Sequence, residues 1–202
     1  MISAILLGAG ESKRMGKNKL LLPWGKKTIF EHCLQTLLRS EVKEVIIVIN
    51  DRLKEFIRPI HAQKIKVVIN PHYKRGMSTS IRRGVQAIAP GSEGVLIALG
   101  DQPFIKTRTI NAMIKAFAQG RKGILIPSFR GKRGNPVIFH RRFRRELLEL
   151  KGDVGGKSII ENHPGEILDI PLKSEGVVKD IDLWEDYREN LKWKPSADEE
   201  RE

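Results

Sequence analysis

Short apolar runs recur along the chain, and most of them stop at a glycine, asparagine or proline. Runs of this length that are rich in β-branched residues and closed by a turn residue predict buried strands. Amphipathic stretches lie between many of them, and their helical spacing of apolar residues predicts helices. The predicted strands cover residues 2–7, 45–50, 65–70, 95–99, 123–127, 136–139, 167–170 and 177–181.

Hydroxyl side chains mark where two of the helices begin. Thr28 precedes Glu31 by the spacing of a capping box, which predicts a helix start at Thr28. Ser78 or Ser80 is expected to cap a second helix that reaches about Ala89. Further helices are predicted over residues 107–118, 141–150 and 183–191.

The alternation of strands and helices predicts an α/β fold, a three-layer sandwich with a mostly parallel central sheet that is Rossmann-like in its layering. Ligands of such sheets bind beyond the carboxyl ends of the strands. The loops at residues 8–19, 70–80 and 100–104 each follow a predicted strand, so we expect them to meet in one crevice. We expect one domain over residues 1–192 and a flexible charged tail over residues 193–202.

Composition limits the cellular compartment in which the protein is expected and the kinds of molecule it is expected to bind. The 202 residues include one cysteine, Cys33, which excludes an internal disulfide framework and a cysteine-based zinc cluster. No secretory signal and no apolar run of about 20 residues is visible, so we expect a cytoplasmic protein without a membrane segment. The net charge of +13 permits binding to nucleic acid, to a membrane surface or to a polyanionic small substrate.

The sequence LLGAGESKRMGKNKLLLP at residues 6–23 places glycines and then cations directly after the first strand. Its spacing fits neither the dinucleotide-binding loop nor the Walker loop. Gly8 and Gly10 would leave backbone N–H groups open to a ligand. Arg14 and Lys19, the latter expected as an exposed loop residue, would supply charge for a phosphate chain. The alternative is an ordinary turn with solvated cations.

Later motifs add a carboxylate and hydroxyl groups. In GDQP, Asp101 ends an apolar strand. Its carboxylate would either hold Mg²⁺ beside a polyphosphate or accept a hydrogen bond from the backbone of its own turn. In GMSTSIRRG, two arginines follow the serines, and either an anion at the helix start or placement on the surface would account for them. The segments RGKRGNPVIF and LKGDVGGKSII form a second glycine-and-cation pair, which indicates either a second phosphorylated substrate or a solvated basic flap.

In this order, GAGESKRMG, GMSTSI, GDQP, RGNPVIF, GDVGGKSII and DIDLWEDY resemble the motifs of the molybdenum cofactor cytidylyltransferase family, which are nucleotidylyltransferases with a glycosyltransferase-A-like fold. The match runs from Leu6 to about Tyr187. The resemblance implies Mg²⁺-dependent transfer of a nucleotidyl group from CTP, or another nucleoside triphosphate, to the phosphate of molybdopterin, with release of pyrophosphate. A recipient molybdoenzyme or its chaperone would be a further partner.

The resemblance also assigns roles to individual residues. The nucleotide-binding residues would be Leu7, Gly8, Ala9, Gly10, Lys19 and Ser80. The catalytic residues would be Arg14, Lys19 and Asp101. Mg²⁺ would be held by Asp101 and Asp182, with Asp180 as a further candidate ligand. The contacts to the pterin substrate would come from Arg133, Gly134, Asn135, Pro136 and Asp153.

Departures from the family pattern keep alternatives open. Leu6-Leu7 replaces the usual Ala-Ala, which leaves the base of the nucleotide open, and Leu183-Trp184 replaces Thr-Pro. Guanylyl transfer to molybdopterin and nucleotidyl transfer to another phosphorylated small molecule are therefore alternatives. A cofactor carrier, or a nucleic-acid-binding protein that uses residues 130–145, is the non-enzyme alternative. That basic stretch has few aromatic side chains for base stacking, which argues against specific nucleic-acid binding.

Overall fold

The computed structural model describes residues 1–54 and 63–191 and centres on an eight-stranded sheet, with a separate two-stranded hairpin. In chain order the strands are β1 (Ile2–Gly8), β2 (Pro23–Trp24), β3 (Lys27–Thr28), β4 (Glu44–Ile49), β5 (Ile65–Ile69), β6 (Gly94–Leu99), β7 (Ile124–Phe129), β8 (Lys132–Arg133), β9 (Val137–His140) and β10 (Ile167–Pro171). The helices are α1 (Ile29–Leu38), α2 (Asp51–Lys54), α3 (Met77–Ala87), α4 (Thr107–Gln119), α5 (Arg144–Glu149), α6 (Lys157–Asn162) and α7 (Trp184–Asn190).

The main sheet has the strand order β10-β7-β9-β6-β1-β4-β5, and β8 pairs with β7. Strand β1 runs parallel to both of its neighbours, β4 and β6. Strand β5 is parallel to β4, and β10 is parallel to β7. Strands β8 and β9 pair antiparallel with their neighbours. The predicted α/β sandwich with a mostly parallel central sheet is therefore confirmed.

Helices cover both faces of the sheet, because successive residues of a strand point to opposite sides. On β1, Ala4 and Leu6 join an apolar cluster that includes side chains of α1, α4 and α7. Ile5 and Leu7 join a second cluster with side chains of α3, α5 and α6. Burial of each face under a helix layer gives the three layers that the sequence pattern predicts.

The capping box predicted at the start of α1 is confirmed. The hydroxyl Oγ1 of Thr28 accepts a hydrogen bond from the backbone N–H of Glu31 at 3.2 Å. The Thr28 backbone N–H in turn donates to Glu31 Oε2 at 2.8 Å. These reciprocal bonds satisfy two N–H groups that the first helical turn leaves without partners.

Three local predictions need correction. Helix α3 is not capped by Ser78 or Ser80, because both lie inside its first turns and Gly76, with a φ of 103°, is the residue before the helix. The predicted helix over residues 141–150 begins as a 3-10 turn, and α5 itself is shorter. Residues 177–181 do not form a strand, since Glu175–Val178 form a 3-10 turn and the chain then continues irregularly.

The reason for the last correction lies in the hydrogen bonds of that segment. The Val177 carbonyl accepts from Asn135 N–H at 2.8 Å, and Ile181 N–H donates to the Asp101 carbonyl at 3.0 Å. Each partner belongs to a loop rather than to a strand edge. The apolar character of the segment instead reflects burial, since Val177 and Ile181 are both fully buried.

Among residues 1–54 and 63–191, no helix is both long and apolar enough to cross a membrane. The predicted tail at residues 193–202 lies outside the described residues. The assignment of residues 1–192 to one domain stays a prediction.

Close backbone contact at Gly134 generates a stability prediction. A Cβ atom at this position would overlap the carbonyl oxygen of Val177, which is backbone and cannot rotate away. We expect Gly134→Ala to lower the free energy of unfolding by about 1–3 kcal/mol, the usual cost of overpacking. Chemical denaturation with urea measures this. Gly91→Ala is the matched control, because a Cβ at Gly91 meets no atom of the described residues within 4 Å, and its unfolding free energy should stay near that of the wild type.

Candidate active site

A pocket of about 460 Å³ opens at the carboxyl ends of β1 and β6. The loop after β1, the segment that leads into α3, and the turn after β6 all contribute to its walls. The predicted convergence of the three loops therefore occurs in the structure. Charged side chains of both signs line the pocket, with carboxylates from Glu11, Asp101, Asp153 and Asp182 and cations from Arg14, Lys19 and Lys74.

Two glycines at the strand ends are required by packing on Phe30. A Cβ on Gly8 would lie 2.5 Å from the Phe30 ring, and one on Gly100 would lie 2.8 Å from it. Gly10 differs, because nothing in the described part of the chain lies within 4 Å of its Cβ position and it lines the pocket. The close approach of a ligand that the sequence predicts for this loop can therefore occur at Gly10.

Hydrogen bonds from its own residues shape the loop after β1. Ser12 Oγ accepts from the backbone N–H of Lys19 at 3.1 Å, which folds the loop back on itself. Asn18 Oδ1 accepts from Leu20 N–H and caps the 3-10 turn Lys19–Leu21. Asn50 at the end of β4 donates from Nδ2 to the Ala9 carbonyl at 3.0 Å. The backbone of Lys19 is thereby held at a defined place, while its side chain extends into the pocket.

The segment that contains α7 fastens the same loop from outside. Trp184 Nε1 donates to the Met15 carbonyl at 3.0 Å. Tyr187 OH donates to the Pro23 carbonyl at 2.9 Å. Asp186 accepts from the backbone N–H groups of Asp182 and Leu183 and fixes the turn before α7. A distant part of the chain therefore determines the position of the glycine-rich loop.

An ion cluster occupies the floor of the pocket. The ammonium Nζ of Lys19 lies 2.6 Å from Asp101 Oδ2 and 2.6 Å from Asp182 Oδ1. Arg14 Nη1 lies 2.6 Å from the other oxygen of Asp182. Only 12% of the Lys19 side chain is exposed, so Lys19 is not the exposed loop residue that the sequence suggests. The two carboxylates predicted to bind metal are thus brought together, with one ammonium between them.

The ionisation of this cluster follows from burial and from neighbouring charge. Burial alone would lower the pKa of Lys19, but Asp101 and Asp182 outweigh it and raise that pKa above its ordinary value. Burial pushes the pKa of Asp182 upward, yet Lys19 and Arg14 hold it below its ordinary value. At neutral pH the lysine is a cation and Asp182 is an anion, which makes the cluster an ion network.

A third carboxylate lies near this network. Burial, together with the charges of Asp182 and Asp101, raises the pKa of Asp180, and Lys19 opposes that rise. The rise reflects chiefly the partial burial of Asp180, and repulsion from the two carboxylates is a smaller cause. Asp180 is therefore coupled electrostatically to the cluster, although it does not line the pocket.

The residues present fit a magnesium ion held jointly by the protein and a ligand. The Oδ1 atom of Asp101 is buried and has no hydrogen-bond partner among the described residues, which is a costly state for a carboxylate oxygen. Mg²⁺ needs only one or two carboxylates when phosphate oxygens and water complete its shell. Within the described part of the chain, no group of three histidine, cysteine or acidic residues is arranged to hold a metal ion alone.

Ser80 lines the pocket from the second turn of α3. Its Oγ accepts from Asn70 Nδ2 at 2.9 Å, and the same amide nitrogen donates to Thr79 Oγ1 at 2.9 Å. Asn70 directly follows β5, so the end of that strand orients both hydroxyl groups. Because Ser80 Oγ accepts from Asn70, its own O–H can be donated to a ligand.

Asp153 lines the pocket and binds the first residue of α3. Its Oδ1 accepts from the backbone N–H of Met77 at 2.7 Å, and the Gly152 carbonyl accepts from Ser78 N–H at 3.3 Å. A Cβ on Gly76 would lie 2.5 Å from that carbonyl oxygen, so only glycine permits this close contact. Of the five residues expected to contact the pterin, Asp153 is the one that lines the pocket.

The other four expected pterin contacts do not line this pocket. Arg133 Nε instead donates to Asp169 at 3.1 Å. Gly134 packs on the backbone of Val177, as described above, and Asn135 donates its backbone N–H to the Val177 carbonyl. The peptide bond that joins Asn135 to Pro136 is cis. In this structure the RGNP motif holds the segment that leads to Asp182.

Several residues that line the pocket, or that hold the glycine-rich loop in place, are not predicted from the sequence. Asn50, Trp184 and Tyr187 hold the glycine-rich loop, and their contacts are too distant in sequence to be read from spacing. Tyr73 and Lys74 line the pocket from the segment before α3. The polar signal was present at Asn50, which ends a buried strand at the same sheet edge as the loop it supports.

Known proteins resemble this chain over most of its length. The Bacillus subtilis (strain 168) purine catabolism protein PucB is 30% identical over 194 residues, which cover 91% of this chain and 92% of that protein. The molybdenum cofactor cytidylyltransferase of Escherichia coli (strain K12) is 25% identical over 187 residues, covering 92% and 93%. A solved nucleotidyl transferase from Methanothermobacter superimposes with a TM-score of 0.78 at 25% identity, covering 94% and 95%.

A family model described as the MobA-like NTP transferase domain matches residues 4–167. That range includes the glycine-rich loop, the start of α3 and Asp101, and it ends before Asp182. The chain therefore belongs to the MobA-like NTP transferase family, whose reaction is nucleotidyl transfer.

Proposed function

We propose that this protein transfers the cytidylyl group of CTP to the phosphate of molybdopterin in a Mg²⁺-dependent reaction that releases pyrophosphate. The observation that carries the proposal is the ion cluster of Lys19, Asp101 and Asp182 beside the glycine-rich loop. Membership of the family supports nucleotidyl transfer, and the name of the Escherichia coli relative supports CTP and molybdopterin.

The nucleotide would occupy the side of the pocket next to the glycine-rich loop. Backbone groups from Leu7 to Gly10 would contact the base and ribose, and the Ser80 hydroxyl would donate to the nucleotide. Arg14 and Lys19 would bind triphosphate oxygens, because both are cations at the pocket wall. Arginine can bind two oxygens at once, whereas lysine acts as a movable point charge.

The acceptor would enter from the side of Asp153 and the start of α3. An oxygen of its phosphate attacks the α-phosphorus of the nucleotide. The bond from that phosphorus to the oxygen that bridges to the β-phosphorus breaks, and pyrophosphate leaves with the electron pair. No protein nucleophile is required, so the residues contribute by positioning the reactants and neutralising charge.

Mg²⁺ bound by Asp101 and Asp182 would neutralise charge on the phosphates. The protein's own part is to hold these carboxylates at one point. Asp101 is held by the backbone bond from Ile181 to its carbonyl, and Asp182 by the bond from its N–H to Asp186. Both anchors use main-chain groups of the two residues, so neither anchor occupies a carboxylate oxygen. Lys19 and Arg14 pair with three of the four oxygens, and Asp101 Oδ1 has no hydrogen-bond partner among the described residues.

The reaction itself is the first test. Purified protein is incubated with Mg²⁺, molybdopterin and one of CTP, GTP, ATP or UTP, and the product is identified by mass. We expect molybdopterin cytosine dinucleotide together with one pyrophosphate per turnover. A guanine dinucleotide would replace the proposal with guanylyl transfer. No dinucleotide from any of the four would reject molybdopterin as the acceptor, and the same assay with phosphorylated sugars and acids would then separate another nucleotidyl transfer from a protein without this activity.

Removal of the cluster's central cation tests the role of Lys19. We expect Lys19→Met to lower turnover by about 100- to 1,000-fold, the range typical for loss of one group that stabilises charge in a transition state. Steady-state kinetics with saturating nucleotide measures it. Lys17→Met is the matched control, because Lys17 is an exposed lysine of the same loop, and its turnover should stay within about two-fold of the wild type. Equal turnover in both variants would contradict the role.

Neutral isosteres test the carboxylates. We expect Asp101→Asn to lower turnover by about 100- to 1,000-fold and extra Mg²⁺ to restore it only partly, since one charged ligand is lost. A smaller loss is expected for Asp182→Asn, because its side chain is 36% exposed against 21% for Asp101. Glu185→Gln, an exposed acid of the same segment, serves as the control. Full Mg²⁺-dependent activity of Asp101→Asn would remove Asp101 from the site.

A further inference from the structure

Lys19 holds the position between two carboxylates that a bridging cation would take. Its Nζ is 2.6 Å from an oxygen of Asp101 and 2.6 Å from an oxygen of Asp182. The two oxygens are therefore less than twice that distance apart. Carboxylates this close repel each other unless a cation lies between them. The ammonium supplies that cation within the chain itself.

Charge within the cluster is close to balanced. Arg14 and Lys19 contribute two positive charges, and Asp101 and Asp182 contribute two negative charges. A divalent cation added to this arrangement would meet the Lys19 ammonium at very short range. Like charges that approach in a partly buried site interact more strongly than in water. Metal binding and the present position of the ammonium therefore oppose each other.

The side chain of Lys19 can leave without moving the loop. Its backbone N–H donates to Ser12 Oγ, and its carbonyl accepts from Leu22 N–H at 3.1 Å, so the main chain is held on both sides. The four-carbon stem allows the ammonium to swing to new partners. The pocket beside it is about 460 Å³ and is lined by the glycine-rich loop, where the phosphates of a nucleotide would lie.

We propose that Lys19 is a built-in counter-ion that competes with the divalent cation for Asp101 and Asp182, so that the free protein binds divalent cations weakly. A nucleoside triphosphate offers the ammonium new anionic partners and thereby releases the carboxylates for the metal. Nucleotide and metal then favour each other's binding, which is a positive coupling between two sites. The nucleotide step rests on the proposed function, whereas competition between Lys19 and metal does not.

Manganese binding to the free protein, measured by the loss of the free Mn²⁺ signal in electron paramagnetic resonance, tests the competition without nucleotide, acceptor or turnover. We expect Lys19→Met to bind Mn²⁺ about 5- to 150-fold more tightly than the wild type, the span usual for coupled sites. Lys17→Met should bind like the wild type. Addition of Asp101→Asn to Lys19→Met should abolish the gain, because a carboxylate ligand is lost.

Two further variants keep the test decisive. Lys19→Gln retains a hydrogen-bond donor without charge, so it should show the same gain and serves if Lys19→Met does not fold. Lys19→Arg retains the charge and should bind Mn²⁺ as weakly as the wild type. Thermal unfolding provides a second readout: the neutral variants should melt lower than the wild type in EDTA and gain more in melting temperature from Mn²⁺.

Folded Lys19→Met or Lys19→Gln that binds Mn²⁺ no more tightly than the wild type would overturn the counter-ion role. The same wild-type preparations are assayed for dinucleotide formation. A gain in Mn²⁺ affinity without any transfer reaction would retain the counter-ion and reject the proposed function. Transfer activity without the gain would retain the proposed function and reject the counter-ion.

Discussion

The parallel pairing of β1 with β6 is the constraint on which the site depends. Leu7 pairs with Leu99 in this register, and the N–H of Gly100 donates to the Leu7 carbonyl at 2.9 Å. The glycine-rich loop and Asp101 therefore leave the sheet side by side, although they are distant in sequence. Because both strands are buried on two faces, a slip of register would turn apolar side chains into the wrong layer. Correct packing of the core thus places the cation-bearing loop beside the carboxylate.

Much of this arrangement could be predicted from the sequence, since strand ends and helix caps are local signals. Apolar runs located β1, β4, β5 and β6 to within about two residues, which is the usual uncertainty of element ends. The spacing of Thr28 and Glu31 gave the start of α1. Once the strands were taken as parallel, the rule that ligands bind at their carboxyl ends brought Lys19, Ser80 and Asp101 to one pocket. The structure places all three there.

The remaining features depend on contacts that no local pattern encodes. Residues 177–181 carry the β-branched composition of a strand, but the chain there bonds to loops, so its composition reflects burial alone. From its neighbours in sequence, Lys19 resembles a solvated loop lysine. The structure pairs it with Asp182, which lies far away along the chain. Arg133 looks like a phosphate ligand, yet it pairs with Asp169 on β10, across the strand β7 with which β8 and β10 both pair. In each case, tertiary proximity outweighs what the residue's own neighbours suggest.

The segment from Asp182 to Tyr187 has two roles. It supplies a charge to the pocket, and it also binds the loop that faces the pocket. Trp184 and Tyr187 bond the carbonyls of Met15 and Pro23, on either side of Lys19 in the sequence. The loop and Asp182 are therefore both held by one short segment of the chain. The position of the loop relative to Asp182 is consequently set by hydrogen bonds to main-chain groups on both sides. The indole N–H of Trp184 is the donor that makes the connection to the Met15 carbonyl.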